Sequence, residues 1–492
     1  MATAAELVLG IDIGTTSVKA AVFDLRGRTH HAFAARVPTL RTEGDVVEQD
    51  PADWIEGIRA AIGSIGAAGL LPGIGAVGVT SQVNTHVFVD GSGRPLAPAI
   101  VWQDGRAASE AREIDARIVA EDRLRWWGAP MGIDASHALA RMAWMARHRP
   151  GVWERTGAVL LPKDFVVRTL AGARVSDPMS NIGLVGPDLA YVEDLLLLLP
   201  GAAERLPRLV PAPSEAGRMS LAPGGPSVPV AVGIMDAWAG FLGVGLRAEG
   251  DAAYLSGTSE VLAAASEAAT GEPGILVFPR LDELRVHAGP TQSGGASVDW
   301  FCGAFGTTPE AMAAEVEAAG PDLRAPLFLP HLAGERAPLW DPSARGAFLG
   351  LEAGMGRAAL ARAVLEGVSL SARLLAEALD RSTGRRIEAF LCGGGGFRSD
   401  TWNQIRADAT GRVLRRAAVP DTGTLGAAAL GAVAAGLQPD LPTALADLVT
   451  HDRTYEPDPR RAARYDDLFG LYRPAYEALG PISRALADRR LP

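Results

Sequence analysis

Cysteine is nearly absent: Cys302 and Cys392 are the only two in 492 residues. A disulfide framework is therefore not expected as a source of stability. Both lie in apolar or glycine-rich contexts, read as structural thiols, and fit a reducing cytoplasm. Long hydrophobic runs are missing as well. The most tempting, Leu195 to Leu199, falls far short of a membrane span. Positive charge is in deficit, with 47 Lys and Arg against 57 Asp and Glu and a net charge of −10. Nucleic acid and anionic membranes, which are bound through clustered cations, are therefore not expected as partners. An anionic cofactor must be held by local features instead. The opening MATAAELVLGIDIGTT also lacks the basic n-region of a secretory signal and runs directly into a strand-like segment.

What is present describes a folded protein. Hydrophobic residues make up 48% and charged residues 21%, ordinary globular values. The length exceeds one compact core, so two large domains are expected. The boundary falls near Gly243 to Gly250, giving residues 1–247 and 248–492.

LVLGIDIG reads as a buried strand, Gly14-Thr15-Thr16-Ser17 as a tight turn and VKAAVFD as a second strand turning at Leu25 to Arg28. This is a β-hairpin. A Walker loop would feed a helix, so any nucleotide-binding logic here is of another kind. Strands are also expected at IGAVGVTS, HVFVD and VPVAVG, with a helix in the Arg106 to Arg117 region, an α/β alternation. DAAYLSGTSEVLAAAS repeats the strand, Gly-Thr-Ser turn and strand, which suggests two related domains. LCGGGGFRSDTWNQIRADATG reads as a strand, a four-glycine turn and a helix capped by Ser399 or Asp400, with Gly411 just past its end. The helix in DTGTLGAAALGAVAAG is built of Ala and Gly, which allows close packing. Tyr465, Leu468, Tyr472, Tyr476 and Leu479 mark the core face of a C-terminal helix.

Four separated segments resemble the FGGY carbohydrate-kinase family in the family's own order and span almost the whole chain. They are GIDIGTTSVKAAVFD; TSQVNTHVFVDGSGRPLAPAIVWQDGRA; GIMDAWAGFLGVG with LSGTSE; and GERAPLWDPSARGAFLGL followed by GGGGFRSDTWNQIRADATG. The pattern is most similar to xylulokinases. The resemblance implies an α/β fold of two ribonuclease-H-like domains, as in the actin and heat-shock-chaperone ATPase superfamily, around a central cleft. ATP and a small sugar would meet there, and family members are often homodimers.

It also implies roles. Asp236 matches the catalytic base, although as a residue it reads equally as a helix N-cap before AWAGFLGVG. Asp12 matches the carboxylate that holds Mg²⁺, with Gly14, Thr15 and Thr16 donating to phosphate oxygens and Lys19 adding charge, unless Lys19 is a plain surface lysine. Gly257 and Thr258 match a second phosphate turn. Gly295 and Asp299 fall where the family contacts nucleotide, and Gly394, Gly395, Gly396 and Ser399 match the adenosine turn, whose residues alone read as a helix-capping glycine turn. The sugar wall is Gln82, Val83, Asn84, Trp102 and Asp104, with Asp236. Val83-Asn84 stands where xylulokinases carry Met-His, so a different polyol or ketose could be preferred. His86 and His137 have no structural-ligand spacing around them and read as ordinary polar residues.

The leading reading is ATP-dependent phosphorylation of a small ketose or polyol, D-xylulose first. Gluconate, ribulose or erythritol-type kinases are the near rivals. An actin-superfamily ATPase that senses nucleotide without a sugar acceptor, or a non-catalytic sugar sensor, are the distant ones.

Overall fold

The computed structural model describes residues 6–42, 45–128, 130–281 and 284–488. The first five residues, which contribute to the argument against a secretory signal, lie outside these. The chain divides into two compact units: Met1–Gly245, Pro279–Leu281 and Asp421–Thr450 form the first, and Leu246–Phe278, Asp282–Pro420 and His451–Pro492 the second.

The first unit is built on β1 (Leu7–Ile13), β2 (Ser17–Asp24), β3 (Thr29–Arg36), β4 (Ile74–Ser81), β5 (Glu215–Ser220), β6 (Ser227–Ala231) and β7 (Ile234–Met235). The strand order is β5-β6-β4-β1-β2-β3, with β7 also on β4. β1, β2 and β3 pair antiparallel, whereas β4 runs parallel to β1. β1 is buried on both faces, which explains its apolar run from Leu7 to Ile11 ahead of Asp12. One face is covered by the helix Pro51–Ala67, whose start is fixed by Asp50 accepting from the Ala52 amide and which buries Trp54, Ile58 and Ile65.

The helix Thr422–Ala434 packs on β1, β4 and the helix Asp236–Gly243. Only side-chain-free positions allow that approach. A Cβ on Gly10 would lie 1.9 Å from the Thr424 carbonyl oxygen, and one on Gly78 1.7 Å from that of Ala427. The Ala/Gly composition read in the sequence is thus a packing requirement.

The second unit contains β8 (Ala252–Ser256), β9 (Glu260–Ala265), β10 (Leu276–Val277), β11 (Val286–Pro290), β12 (Ala389–Gly393), β13 (Val413–Ala417) and β14 (His451–Tyr455). Its order is β10-β11-β9-β8-β12-β13-β14. β8, β9 and β11 pair antiparallel, β12 and β13 run parallel to β8, and β14 closes the edge antiparallel. This repeats the pairing of β1, β2, β3, β4, β6 and β5. The duplicated hairpin seen in the sequence therefore belongs to a duplicated sheet. The C-terminal helix Pro459–Asp488 buries Tyr465 and Tyr472, with Leu468, Tyr476 and Leu479 packed beside them.

By its contacts the segment Asp421–Thr450 returns to the first unit, since it carries the helix whose small residues pack against Gly10 and Gly78. One expectation needs correction. The expected Arg106 to Arg117 helix is shorter, Ala108–Asp115, since Arg106 is held by Asp104 before the helix begins. Among the described residues, no helix is long and apolar enough to cross a membrane.

Candidate active site

The register of the first hairpin sets Asp12 opposite Lys19. Asp12 lies one residue before the end of β1, beside Thr80 of the parallel strand β4. Asp236 opens the helix Asp236–Gly243 and is partly exposed. Gly233, at φ 78°, makes the turn into β7, where a Cβ would lie 2.0 Å from the Val79 carbonyl oxygen. Thr80 Oγ1 then donates to the Ile234 carbonyl at 2.6 Å, which anchors the strand that delivers Asp236.

A third carboxylate joins these two. Asp421 caps the helix Thr422–Ala434, and its other oxygen lies 3.1 Å from Lys19 Nζ. A Cβ on Gly423 would come within 3.4 Å of Asp12 Oδ2, so the helix start is close to that carboxylate. Asp12 Oδ1 is buried with no hydrogen-bond partner among the described residues. Burial, then the neighbouring charges of Asp421 and Asp236, raise the Asp12 carboxyl to about 7, against the lowering effect of Lys19. Burial likewise raises Asp236 to about 6, although the Ala237 amide donates to it at 2.8 Å. Three carboxylates thus gather near the end of β1, and among them Asp12 Oδ1 lacks a protein partner.

The hairpin turn is tied to the expected sugar wall. Thr15 Oγ1 donates to Gln82 Oε1 at 3.0 Å and accepts from Trp102 Nε1 at 2.9 Å. Gln82 Nε2 donates to Gln49 Oε1 at 2.9 Å, and Gln49 Nε2 donates back to the Thr15 carbonyl at 2.6 Å. Gly14 and Thr16 complete the turn through Gly14 N–H to the Ser17 carbonyl and Val37 N–H to the Thr16 carbonyl. Asn84 adopts φ 53°, and its side-chain amide donates to Ser136 Oγ at 3.3 Å. Its carbonyl accepts from buried Arg141, which also holds the Ile100 and Val101 carbonyls. Val83 is half-buried beside it. Asp104 is buried and engaged by Arg106 and the Val47 amide, so its carboxylate shapes the wall through protein partners.

In the second unit, the Gly257-Thr258 turn joins β8 to β9, and the helix Gly295–Phe305 begins on it. The amides of Gly295 and Ala296 donate to the Gly257 and Thr258 carbonyls, both at 2.9 Å. Gly394, at φ 97°, lets the chain pass Ser256: a Cβ there would lie 2.4 Å from the Ser256 carbonyl oxygen. Gly396 abuts Ser256 Oγ, whereas a Cβ on Gly395 would meet nothing within 4 Å. Ser399, not Asp400, is the N-cap of the helix Asp400–Thr410, and Gly411 ends it at φ 63°. Asp299 is exposed on the second turn of the same helix that begins on the Gly257-Thr258 turn.

Residues 7–243 match the FGGY family of carbohydrate kinases, N-terminal domain, and residues 250–435 match its C-terminal domain. The chain belongs to the FGGY family of carbohydrate kinases. It is therefore a sugar kinase, a phosphotransferase that uses ATP and an alcohol acceptor. The xylulose kinase of Escherichia coli K12 is 31% identical over 490 residues, covering 97% of this chain and 100% of the relative. The glycerol kinase of Thermus brockianus is 32% identical, covering 87% and 90%. The crystal structure of a xyloylose kinase from Brucella ovis superposes with a TM-score of 0.86 at 31% identity, covering 97% and 100%. The two-domain α/β fold of this FGGY kinase is that of these relatives.

Sequence reasoning missed three residues of the first unit. Asp421 had a visible signal, an Asp-Thr-Gly-Thr start to an Ala/Gly helix. Gln49, which links Thr15 to Gln82, and Arg141, which holds the Asn84 carbonyl, lie in segments with no motif. His86 and His137 have structural roles: His86 meets Arg141, and His137 caps the helix Ala138–His148.

Proposed function

We propose that this FGGY kinase transfers the γ-phosphate of ATP to a hydroxyl of a small ketose, with D-xylulose the first acceptor to test. The observation that carries the proposal is Asp236, partly exposed and raised to about 6, in the same unit as the Gln82, Asn84 and Trp102 wall. A base of that strength is ionised at neutral pH and still accepts a proton. As the sugar oxygen bonds to phosphorus and the bond between the γ-phosphorus and the bridging oxygen breaks, ADP leaves and the hydroxyl proton passes to Asp236.

The residues of the first unit also fit a divalent cation. The unpartnered Asp12 Oδ1 and neighbouring Asp421 offer hard oxygen donors, and Asp12 would hold Mg²⁺ with Asp421 close by. When bound, Mg²⁺ would neutralise phosphate charge. Gly14, Thr15, Thr16 and Lys19 are the phosphate contacts in this reading, with Gly257, Thr258, Gly295, Gly394, Gly395, Gly396 and Ser399 the nucleotide contacts of the second unit. Asp299, exposed like Gly257 and Thr258, is a further nucleotide contact in this reading.

Xylulose is favoured by the full-length relatives of that name, while Asn84 leaves room for another ketose or polyol. The buried free thiols suit a reducing cytoplasm, and a homodimer is part of this reading. The test is ADP release across a panel of xylulose, ribulose, gluconate, erythritol and glycerol. Strong dependence on one ketose supports the proposal. Turnover indifferent to every acceptor would favour a nucleotide-sensing ATPase.

A further inference from the structure

The second unit holds a buried ion pair that joins its two glycine turns. The side chains of Arg406, on the helix Asp400–Thr410, and Glu260, the first residue of β9, are sealed from water, at 0% and 1% exposure. Arg406 Nη2 donates to Glu260 Oε1 and to Ser256 Oγ, each at 2.7 Å, while Nη1 donates to the Gly396 carbonyl at 2.7 Å. Glu260 also accepts from Ser256 Oγ at 3.1 Å and from the Tyr254 hydroxyl at 2.6 Å. The guanidinium lies 3.6 Å from the Trp402 ring centroid and 4.5 Å from that of Phe397. Ser256 and Glu260 flank the Gly257-Thr258 turn, and Gly396 belongs to the four-glycine turn. One planar cation thus touches both.

A buried ion pair is a poor device for stability, because desolvation offsets most of the attraction and apolar replacements of similar volume are often as stable or more so. Arg406 Nε is buried without a partner, a further cost. The benefit is geometric. A guanidinium presents donors in a fixed plane, so the Gly396 carbonyl and the Ser256 hydroxyl are held at a set separation. Gly396 reinforces the constraint, since a Cβ there would lie 2.1 Å from Ser256 Oγ.

We infer that Arg406, paired with Glu260, is a positioning residue that fixes the spacing of the Gly257-Thr258 and Gly394–Gly396 turns for the nucleotide. The inference rests on the reading of those turns as nucleotide contacts. Arg406 touches no substrate; it acts through the two turns.

The experiment measures calorimetric affinity of the full-length protein for a non-hydrolysable ATP analogue, KM for each substrate, and thermal unfolding. The double variant Arg406→Met with Glu260→Leu avoids leaving a lone buried charge. It is expected to weaken nucleotide affinity about tenfold or more, leave the sugar KM unchanged, and keep or raise the unfolding temperature. Arg406→Lys, which keeps the charge but not the planar fork, should retain an intermediate affinity and serves if the double variant fails to fold. Unchanged nucleotide affinity in whichever of these folds overturns the inference. Gly395→Glu, at the open position of the turn, separates the two levels. If it weakens nucleotide binding and the Arg406 variants do not, only the positioning role fails. If it too has no effect, the nucleotide reading fails and the inference with it.

Discussion

The ammonium of Lys19 lies 3.1 Å from the carboxylate of Asp421 and opposite Asp12 across the β1–β2 pair. Lys19 is one of only two lysines among 47 cationic side chains, the other being Lys163. It is the cation that lowers the Asp12 carboxyl against the opposing effects of burial and Asp421. Lys19→Met should therefore raise Asp12 further and move the acid limb of the kcat/KM profile to higher pH. The variant should regain activity as pH rises; an unshifted acid limb would separate Lys19 from Asp12.

Asp12 itself should make stability fall as pH rises. Its folded carboxyl sits at about 7 against an ordinary 3.8, so the folded state holds a proton that the unfolded state has released across that window. Stability is highest below the unfolded value and decreases up to about 7. Asp12→Asn removes the dependence and should stabilise the nucleotide-free protein at pH 8 by on the order of 2–4 kcal/mol, with the difference vanishing near pH 4. Denaturant unfolding at the two pH values checks it.

The glycines under the helix Thr422–Ala434 allow a test of packing. Gly78→Ala would place a methyl 1.7 Å from the Ala427 carbonyl oxygen, backbone that cannot rotate away. A loss of about 1–3 kcal/mol or more is expected from overpacking, read as a lowered unfolding temperature. Gly63→Ala, whose Cβ would meet nothing within 4 Å, should show no such loss.

Much of this was legible in the chain, because the signals were local. The hairpin around Gly14, the cap at Ser399 and the stop at Gly411 each follow from a few adjacent residues with defined backbone requirements. The return of Asp421–Thr450 to the first unit was not legible. It depends on contacts between residues some four hundred positions apart, and the Ala/Gly helix announced close packing without naming its partner. Asp104 shows the opposite limit: the family resemblance implied a sugar contact, but the fold engages its carboxylate with Arg106 and the Val47 amide.

Asn84 combines a strained backbone with a polar side chain. At φ 53° it occupies a region that disfavours most residues, and its amide reaches Ser136. Asn84→Ala should raise the acceptor KM with the ATP KM unchanged. Asn84→Gly, which relieves the backbone but lacks the amide, should show the same KM defect with a smaller loss of stability. An effect confined to ATP would place the acceptor elsewhere.

The most direct test of the account is the pH profile of sugar-dependent ADP formation by Asp236→Asn beside the parent enzyme. With both substrates saturating, where bound Mg²⁺ would keep Asp12 ionised, the kcat of the parent should fall as pH drops through about 6, where Asp236 takes up a proton and no longer serves as a base. The variant should have a kcat lower by about 10²–10⁴ with nucleotide affinity retained. A variant with undiminished kcat would contradict the assignment of Asp236 as the base.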